Sequence, residues 1–251
     1  MSQNQSYLMK KPLTFLFLAL VFACQPKKEK VTDVPTIELT TIEAKETSTI
    51  EQAMQQQGLV AVRDVDSNIM VEMKYSTTDN FMNADVYGDF DKAYLQKKAA
   101  EMLKKANESL KKSHPTYVLL IYDAARPRSI QQVLWDTLKV KPGELKTDFV
   151  ADPKIGSIHN YGSAVDLTVY DKTTKRPLDM GTKYDFFGEL AYPKYEKRML
   201  AEGKLSQENI ENRLILRNAM KAAGFLPIES EWWHFNALSR NEAKIRYKIV
   251  E

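Results

Sequence analysis

Cysteine is almost absent: Cys24 is the only one in 251 residues. An intramolecular disulfide is therefore excluded, and no other thiol competes as a metal ligand or nucleophile. Long apolar runs are also scarce. The one near the amino end, residues 13–23, is too short to span a bilayer. Nor does one sign of charge dominate. With 36 Lys+Arg against 33 Asp+Glu, the net charge is +3 and makes no electrostatic case for nucleic acid. No internal repeat is present. Histidine is the last scarcity, with three in the chain, and two of them fall inside short polar motifs.

The amino end reads as an address. Lys10 and Lys11 precede the apolar run, and Ala23 and Cys24 follow it, the order of a signal peptide. LVFAC over residues 20–24 resembles a bacterial lipobox, in which cleavage before the cysteine is coupled to its lipidation. Residues 1–23 are thus expected to be a lipoprotein leader, with Cys24 the anchor of an exported protein on the periplasmic or cell-surface side. An ordinary signal peptide with an incidental cysteine is the alternative. Loss of Lys10 and Lys11 from 36 Lys+Arg would leave 34 against 33 Asp+Glu, a mature net charge of +1. Residues 24–51 are polar and poor in aromatics, the composition of a flexible linker. Residues 52–251 suit one domain with a sizeable core.

Chemistry concentrates in SIHNYGSAVD (157–166) and EWWH (231–234). Two imidazoles and one carboxylate, with a fourth position left for water, make the donor set of a catalytic zinc site. His159 and Asp166 are seven residues apart, which a straight strand would stretch to roughly 23 Å. Both reach one ion only if the chain reverses between them. Asn160 and Gly162 are residue types that tolerate the positive φ such a reversal needs. Residues 164–169 then read as a buried strand, in which Asp166 is costly unless paired or bound to a cation. The bland alternative is an aspartate capping a turn beside a surface histidine.

Glu231, three residues before His234, is a candidate base. The pair shares a face on a helical turn and points apart on a regular strand, and the sequence does not decide which. Trp232 and Trp233 add apolar surface that would exclude water. Alone, the motif could be a surface ion pair. Arg126 follows the strand-like run 117–121 and precedes Pro127, where functional loops often lie. It could stabilise an oxyanion or merely decorate a turn.

The coarse pattern is α+β, with the site on the sheet's concave face. Helices are predicted over 91–112, 129–138 and from a Ser206 cap to Gly224; strands over 68–74, 117–122, 164–170 and near 232–236. His114 ends a helix and stays outside the site.

Together these motifs resemble the D-alanyl-D-alanine dipeptidases, the zinc enzymes known from vancomycin resistance and related to zinc D,D-carboxypeptidases and the hedgehog-type zinc fold. The family's Ser-x-His-x-x-Gly-x-Ala-x-Asp runs complete from Ser157 to Asp166. Its Glu-x-Trp-His ends at His234, and its Arg-Pro is Arg126-Pro127. Similarity continues through 73–81 and 179–185 and spans roughly 58–247. The resemblance implies one zinc-peptidase domain with a central, largely antiparallel sheet flanked by helices. It implies one Zn²⁺ on His159, Asp166 and His234, Glu231 as general base and acid, and Arg126 as transition-state stabiliser. Ser157 and Asp185 would line the substrate pocket near its amino end, with Asp179 and Asp171 as nearby alternatives to Asp185. The expected substrate is a small D,D-dipeptide or cell-wall peptide. The rivals are a zinc D,D-carboxypeptidase or wall endopeptidase, and a non-catalytic module that binds wall peptides.

Overall fold

The computed structural model describes residues 49–140, 142–143 and 145–251; the leader, Cys24 and most of the linker stretch lie outside the described residues. Helix α1 (Thr49–Gln56) begins inside the stretch read as linker. Its Glu51 is buried and accepts from Lys92 Nζ (2.7 Å) and the Tyr94 hydroxyl (2.5 Å), so this turn belongs to the packed unit. Strand β1 (Leu59–Ala61), helix α2 (Val62–Val65) and β2 (Met70–Val71) follow. Then come β3 (Tyr94–Gln96), α3 (Lys97–Ser113), β4 (Tyr117–Asp123) and α4 (Arg128–Thr137). The second half holds β5 (Ala164–Asp171), β6 (Arg176–Pro177), α5 (Glu196–Ala201) and α6 (Gln207–Ala222). It closes with β7 (Leu226–Pro227), β8 (His234–Asn236) and α7 (Arg240–Arg246).

The architecture is α+β. The main sheet has the order β2-β4-β5-β8-β7, with β6 also on β5. Only β2–β4 is parallel; every other pair is antiparallel. Its centre, β5, is buried on both faces from Ala164 to Val169, and that explains an apolar run without polar alternation. Helix α3 lays Ala99, Ala100, Leu103, Ala106 and Leu110 into the core against α6. Buried Asn107 within that stripe is satisfied: its Oδ1 accepts from the Leu119 N–H (3.0 Å) and its Nδ2 donates to Asp66 (2.8 Å).

Three sequence expectations shift. The helix predicted from 91 starts at Lys97, because Tyr94–Gln96 pairs with β1 instead. That pairing serves the site. The Gln96 N–H donates to the Gly162 carbonyl (2.9 Å) and its side chain to the Tyr161 carbonyl (3.1 Å). The strand predicted over 68–74 is only Met70–Val71, since the chain turns at Lys74–Ser76. Asn80 Nδ2 holds that turn by donating to the carbonyls of Lys74, Thr77 and Ala84. The helix predicted over 129–138 is displaced by one residue. Ser206 does cap α6, its Oγ accepting from the Asn209 N–H at 3.0 Å.

One bulge positions the site. From Tyr117↔Asp171 to Ile121↔Leu167 the β4–β5 register is regular, then it slips so that Asp123 faces Asp166. On the other side of β5, Asp166 faces His234. Directly opposed residues share a face with Cβ atoms about 5 Å apart, so Asp123, Asp166 and His234 form one cross-strand row. Behind the row, buried Arg213 of α6 donates to the carbonyls of Met180 (2.7 Å) and Leu190 (3.0 Å). It thereby fixes the loop that carries Tyr184 and Asp185.

Candidate metal centre and its cavity

His159 reaches the row from a turn, Ile158–Tyr161, that the local sequence builds tightly. Ser157 Oγ accepts from the His159 N–H (3.3 Å), and Asn160 Oδ1 accepts from the Ser157 N–H (2.6 Å). Gly162 closes the turn at φ +62°; a Cβ there would lie 2.7 Å from Leu59 Cδ2 and 3.3 Å from the Gln96 backbone nitrogen. The reversal expected between His159 and Asp166 is thus present, but Gly162 alone supplies the positive φ. Asn160 works as a bracket instead, its Nδ2 donating to the Arg126 carbonyl at 2.7 Å.

His159 Nε2 lies 3.1 Å from His234 Nδ1, and Asp166 Oδ1 lies 3.3 Å and 2.9 Å from these atoms. The outward ring nitrogens set the tautomers. His159 Nδ1 donates to the Ala124 carbonyl (2.7 Å), and His234 Nε2 donates to Asn236 Oδ1 (2.9 Å). When deprotonated, both inward nitrogens present lone pairs to a metal ion or a proton, and a carboxylate oxygen presents a third. Three buried electron-pair donors this close repel one another unless a cation sits among them. The three residues make a group able to hold a metal ion. Titration follows the same logic. Burial opposes charge on His234, yet the bonded Asp166 outweighs it and holds the imidazole up at about 9. Burial likewise opposes ionised Asp166, but the two histidines keep it far below the usual carboxylate range.

The second oxygen of Asp166 is occupied. Tyr184 donates its hydroxyl to Oδ2 at 3.1 Å, its ring wedged edge-on against Trp233 and near Tyr75 and Tyr122. Burial holds that phenol well above its ordinary range, so it stays a donor. Oδ1 is left facing the two histidines.

Glu231 sits on irregular backbone before β8, neither a helical turn nor a strand. Its Oε2 is 3.8 Å from His234 Nδ1 and its side chain is 25% exposed to the cavity. Burial raises its carboxyl above the ordinary range, against the pull of His234. Trp232 and Trp233 are both buried, the first donating from Nε1 to Thr182 Oγ1 at 2.7 Å. Arg126 is no surface residue, being 7% exposed. Its Nε and Nη2 donate to Asp123 Oδ2 (2.8 and 2.6 Å), and Nη1 donates to Gln131 Oε1 (2.9 Å).

Asp185 has left-handed backbone, φ +58°, and accepts from the Tyr75 hydroxyl at 3.0 Å. Burial first, then nearby Asp166, raises its carboxyl well above the usual range. The alternatives lie elsewhere. Exposed Asp179 accepts from the Gly181 N–H, and Asp171 from the Thr173 N–H at the far end of β5. One cavity of about 500 Å³ is lined by His159, Asp166 and His234 together with Arg126, Ser157, Asp185, Glu231, Tyr75 and Arg240. The sequence reading missed Asp123, Tyr75, Tyr184 and Arg240. Asp123 was the findable one, because a carboxylate ending the apolar run 117–121 carries the same burial cost that singled out Asp166.

A three-donor cluster, a carboxylate with a raised pKa beside it and a buried arginine, all around one cavity, define a candidate metallohydrolase centre. Residues 55–248 match the family model Peptidase_M15, described as D-ala-D-ala dipeptidase, and the chain belongs to that family of peptidases. The D-alanyl-D-alanine dipeptidase of Escherichia coli K12 is 32% identical over 177 residues, covering 70% of this chain and 83% of that one. That of Enterococcus faecalis V583 is 26% identical over 193 residues, covering 72% and 92%. A solved LD-carboxypeptidase, LdcB, aligns at 21% identity over 61% of this chain and 63% of its own, with a TM-score of 0.34. It is too distant to refine the fold.

Proposed function

We propose that this peptidase uses one zinc ion to hydrolyse D-alanyl-D-alanine or a related small D,D-dipeptide outside the cytoplasm. The donor set fits. Ligand atoms of a tetrahedral site with bonds of about 2.0–2.1 Å sit roughly 3.3 Å apart, and the three inward atoms here are 2.9–3.3 Å apart. Bound at His159 Nε2, Asp166 Oδ1 and His234 Nδ1, zinc would polarise the scissile carbonyl and acidify the attacking water. Glu231 takes a proton from that water and passes it to the leaving amine nitrogen. Arg126, aimed by Asp123, sets its guanidinium against the oxyanion. Ser157 and Tyr75 shape the pocket wall.

The observation that carries the dipeptide reading is Asp185. It is a half-buried cavity carboxylate whose direct partner is the Tyr75 hydroxyl; among the described residues no cationic side chain pairs with it. An ammonium is what such a group lacks, and a free dipeptide brings one. Incubating the metal-loaded protein with D-Ala-D-Ala, its N-acetylated form and a wall pentapeptide tests this. Free D-alanine from the first alone is expected. Release from the acylated substrates instead would move the assignment to a carboxypeptidase.

The address is part of the same reading. A dipeptidase serving antibiotic resistance must meet the cytoplasmic dipeptide pool, which an exported lipoprotein cannot reach. Recycling of extracytoplasmic D-alanyl dipeptides, or trimming of wall fragments, is the coherent role for a chain anchored through Cys24. Cys24→Ser is expected to move the protein from the membrane fraction to the soluble one or to stall its processing. Identical fractionation of variant and wild type would remove the anchor.

A further inference from the structure

The cavity wall carries two guanidinium groups, and they are in opposite electrostatic states. Arg126 is paired with Asp123. Arg240, the first residue of α7, is exposed and donates from Nη1 to a neutral partner, the Gly156 carbonyl, at 2.8 Å. Among the described residues no carboxylate lies within ion-pair distance of it. A cation that faces a substrate cavity and is held in place only by a carbonyl has charge to spare for an anion. Gly156 directly precedes Ser157, so this anchor sets Arg240 beside the turn that presents His159.

The placement of the two charges is complementary. Asp185 is held by Tyr75, which follows β2 at one edge of the site. Arg240 follows β8. Between β2 and β8 in the strand order come β4 and β5, which carry Asp123 and Asp166 and lead into Arg126. Asp185 and Arg240 thus line the same cavity as the His159, Asp166 and His234 group, one anionic and one cationic. A zwitterionic dipeptide has the matching polarity, with its ammonium toward Asp185 and its carboxylate toward Arg240.

We propose that Arg240 receives the free α-carboxylate of the residue being released, so that the enzyme selects a chain end and rejects internal bonds. The proposal builds on the peptidase reading above, but it needs only a substrate with a free carboxyl terminus. It separates exopeptidase from endopeptidase action by one side chain.

The test compares D-Ala-D-Ala with its C-terminal amide on the metal-loaded full chain, as wild type, Arg240→Gln and Arg240→Lys. Wild type is expected to prefer the acid strongly. Arg240→Gln should lose roughly 10–100-fold in kcat/KM on the acid, the range for a lost hydrogen bond to a charged group. The loss should fall mainly on KM, with the amide little affected. Arg240→Lys should recover part of it. Equal rates of wild type on acid and amide would overturn the proposal. So would an equal loss on both substrates in Arg240→Gln, the pattern of a merely structural residue at Gly156. If only acylated peptides are cleaved, the dipeptidase reading falls, and the same ratio, measured on acylated acid and amide, still decides Arg240. If nothing is cleaved, calorimetric affinities for acid and amide give that ratio directly.

Discussion

Glu231→Gln is expected to bind zinc as wild type does and to lower turnover by about 10²–10⁴-fold, the range for a lost general base. The expectation rests on two features of the side chain. It is close enough to the cluster to act there, with Oε2 3.8 Å from His234 Nδ1, yet Asp166 already supplies the carboxylate of the three-residue group able to hold a metal ion. Its surroundings also prepare it for proton transfer, because burial at the cavity wall raises its carboxyl above the ordinary range. Glutamine keeps the volume and loses the basicity. Metal content and kcat measured on the same preparation separate the outcomes. Near-normal turnover with zinc bound would reject Glu231 as the base. The neighbouring carboxylate, Glu229, is a poor substitute, since it is exposed and does not line the cavity. Loss of zinc from Glu231→Gln would make it a ligand, and the donor set would have to be redrawn.

What the sequence made legible was mostly residue type at short range. A histidine, a glycine and an aspartate spaced over residues 159–166 demand a reversal, and the turn at Ile158–Tyr161 supplies it. An aspartate within an apolar strand demands a partner, and β5 presents Asp166 to two histidines. Ser206 before an amphipathic run marks a helix start by its own hydrogen bond. What stayed hidden depends on register. Nothing local shows that β4 bulges between Ile121 and Asp123, and without that slip Asp123 would not face Asp166. Tyr94–Gln96 reads equally well as the first turn of α3, because only β1, some 35 residues earlier, makes it a strand. Tyr184 and Arg240 are ordinary loop and helix-start residues until the tertiary fold brings one to Asp166 and the other to Gly156.

Arg126 is where hidden register changes an expected experiment. As a loop arginine near a strand end, it would be a clean catalytic probe, replaceable without cost to the fold. In the structure it is half of a buried ion pair: Asp123 is fully buried, its Oδ2 taking two guanidinium donors and its Oδ1 the Tyr87 hydroxyl at 2.9 Å. Breaking such a pair from one side leaves an uncompensated charge and costs about 3–5 kcal/mol. For a domain of this size that is a fall in Tm of roughly 10 °C. Arg126→Ala is therefore expected to lose stability as well as activity, and a rate measured on it alone would mix the two effects. Asp123→Asn should show the complementary split. It keeps the guanidinium but not its aim, so kcat should fall while the Arg126 charge is still present. The double variant Asp123→Asn, Arg126→Ala removes both charges together and should be more stable than the two single losses summed, by about 0.5–3 kcal/mol of coupling. Denaturant unfolding of all four proteins measures this directly. Single variants within about 0.5 kcal/mol of wild type, as at a solvated surface site, would show that the pair neither holds the fold nor aims the arginine.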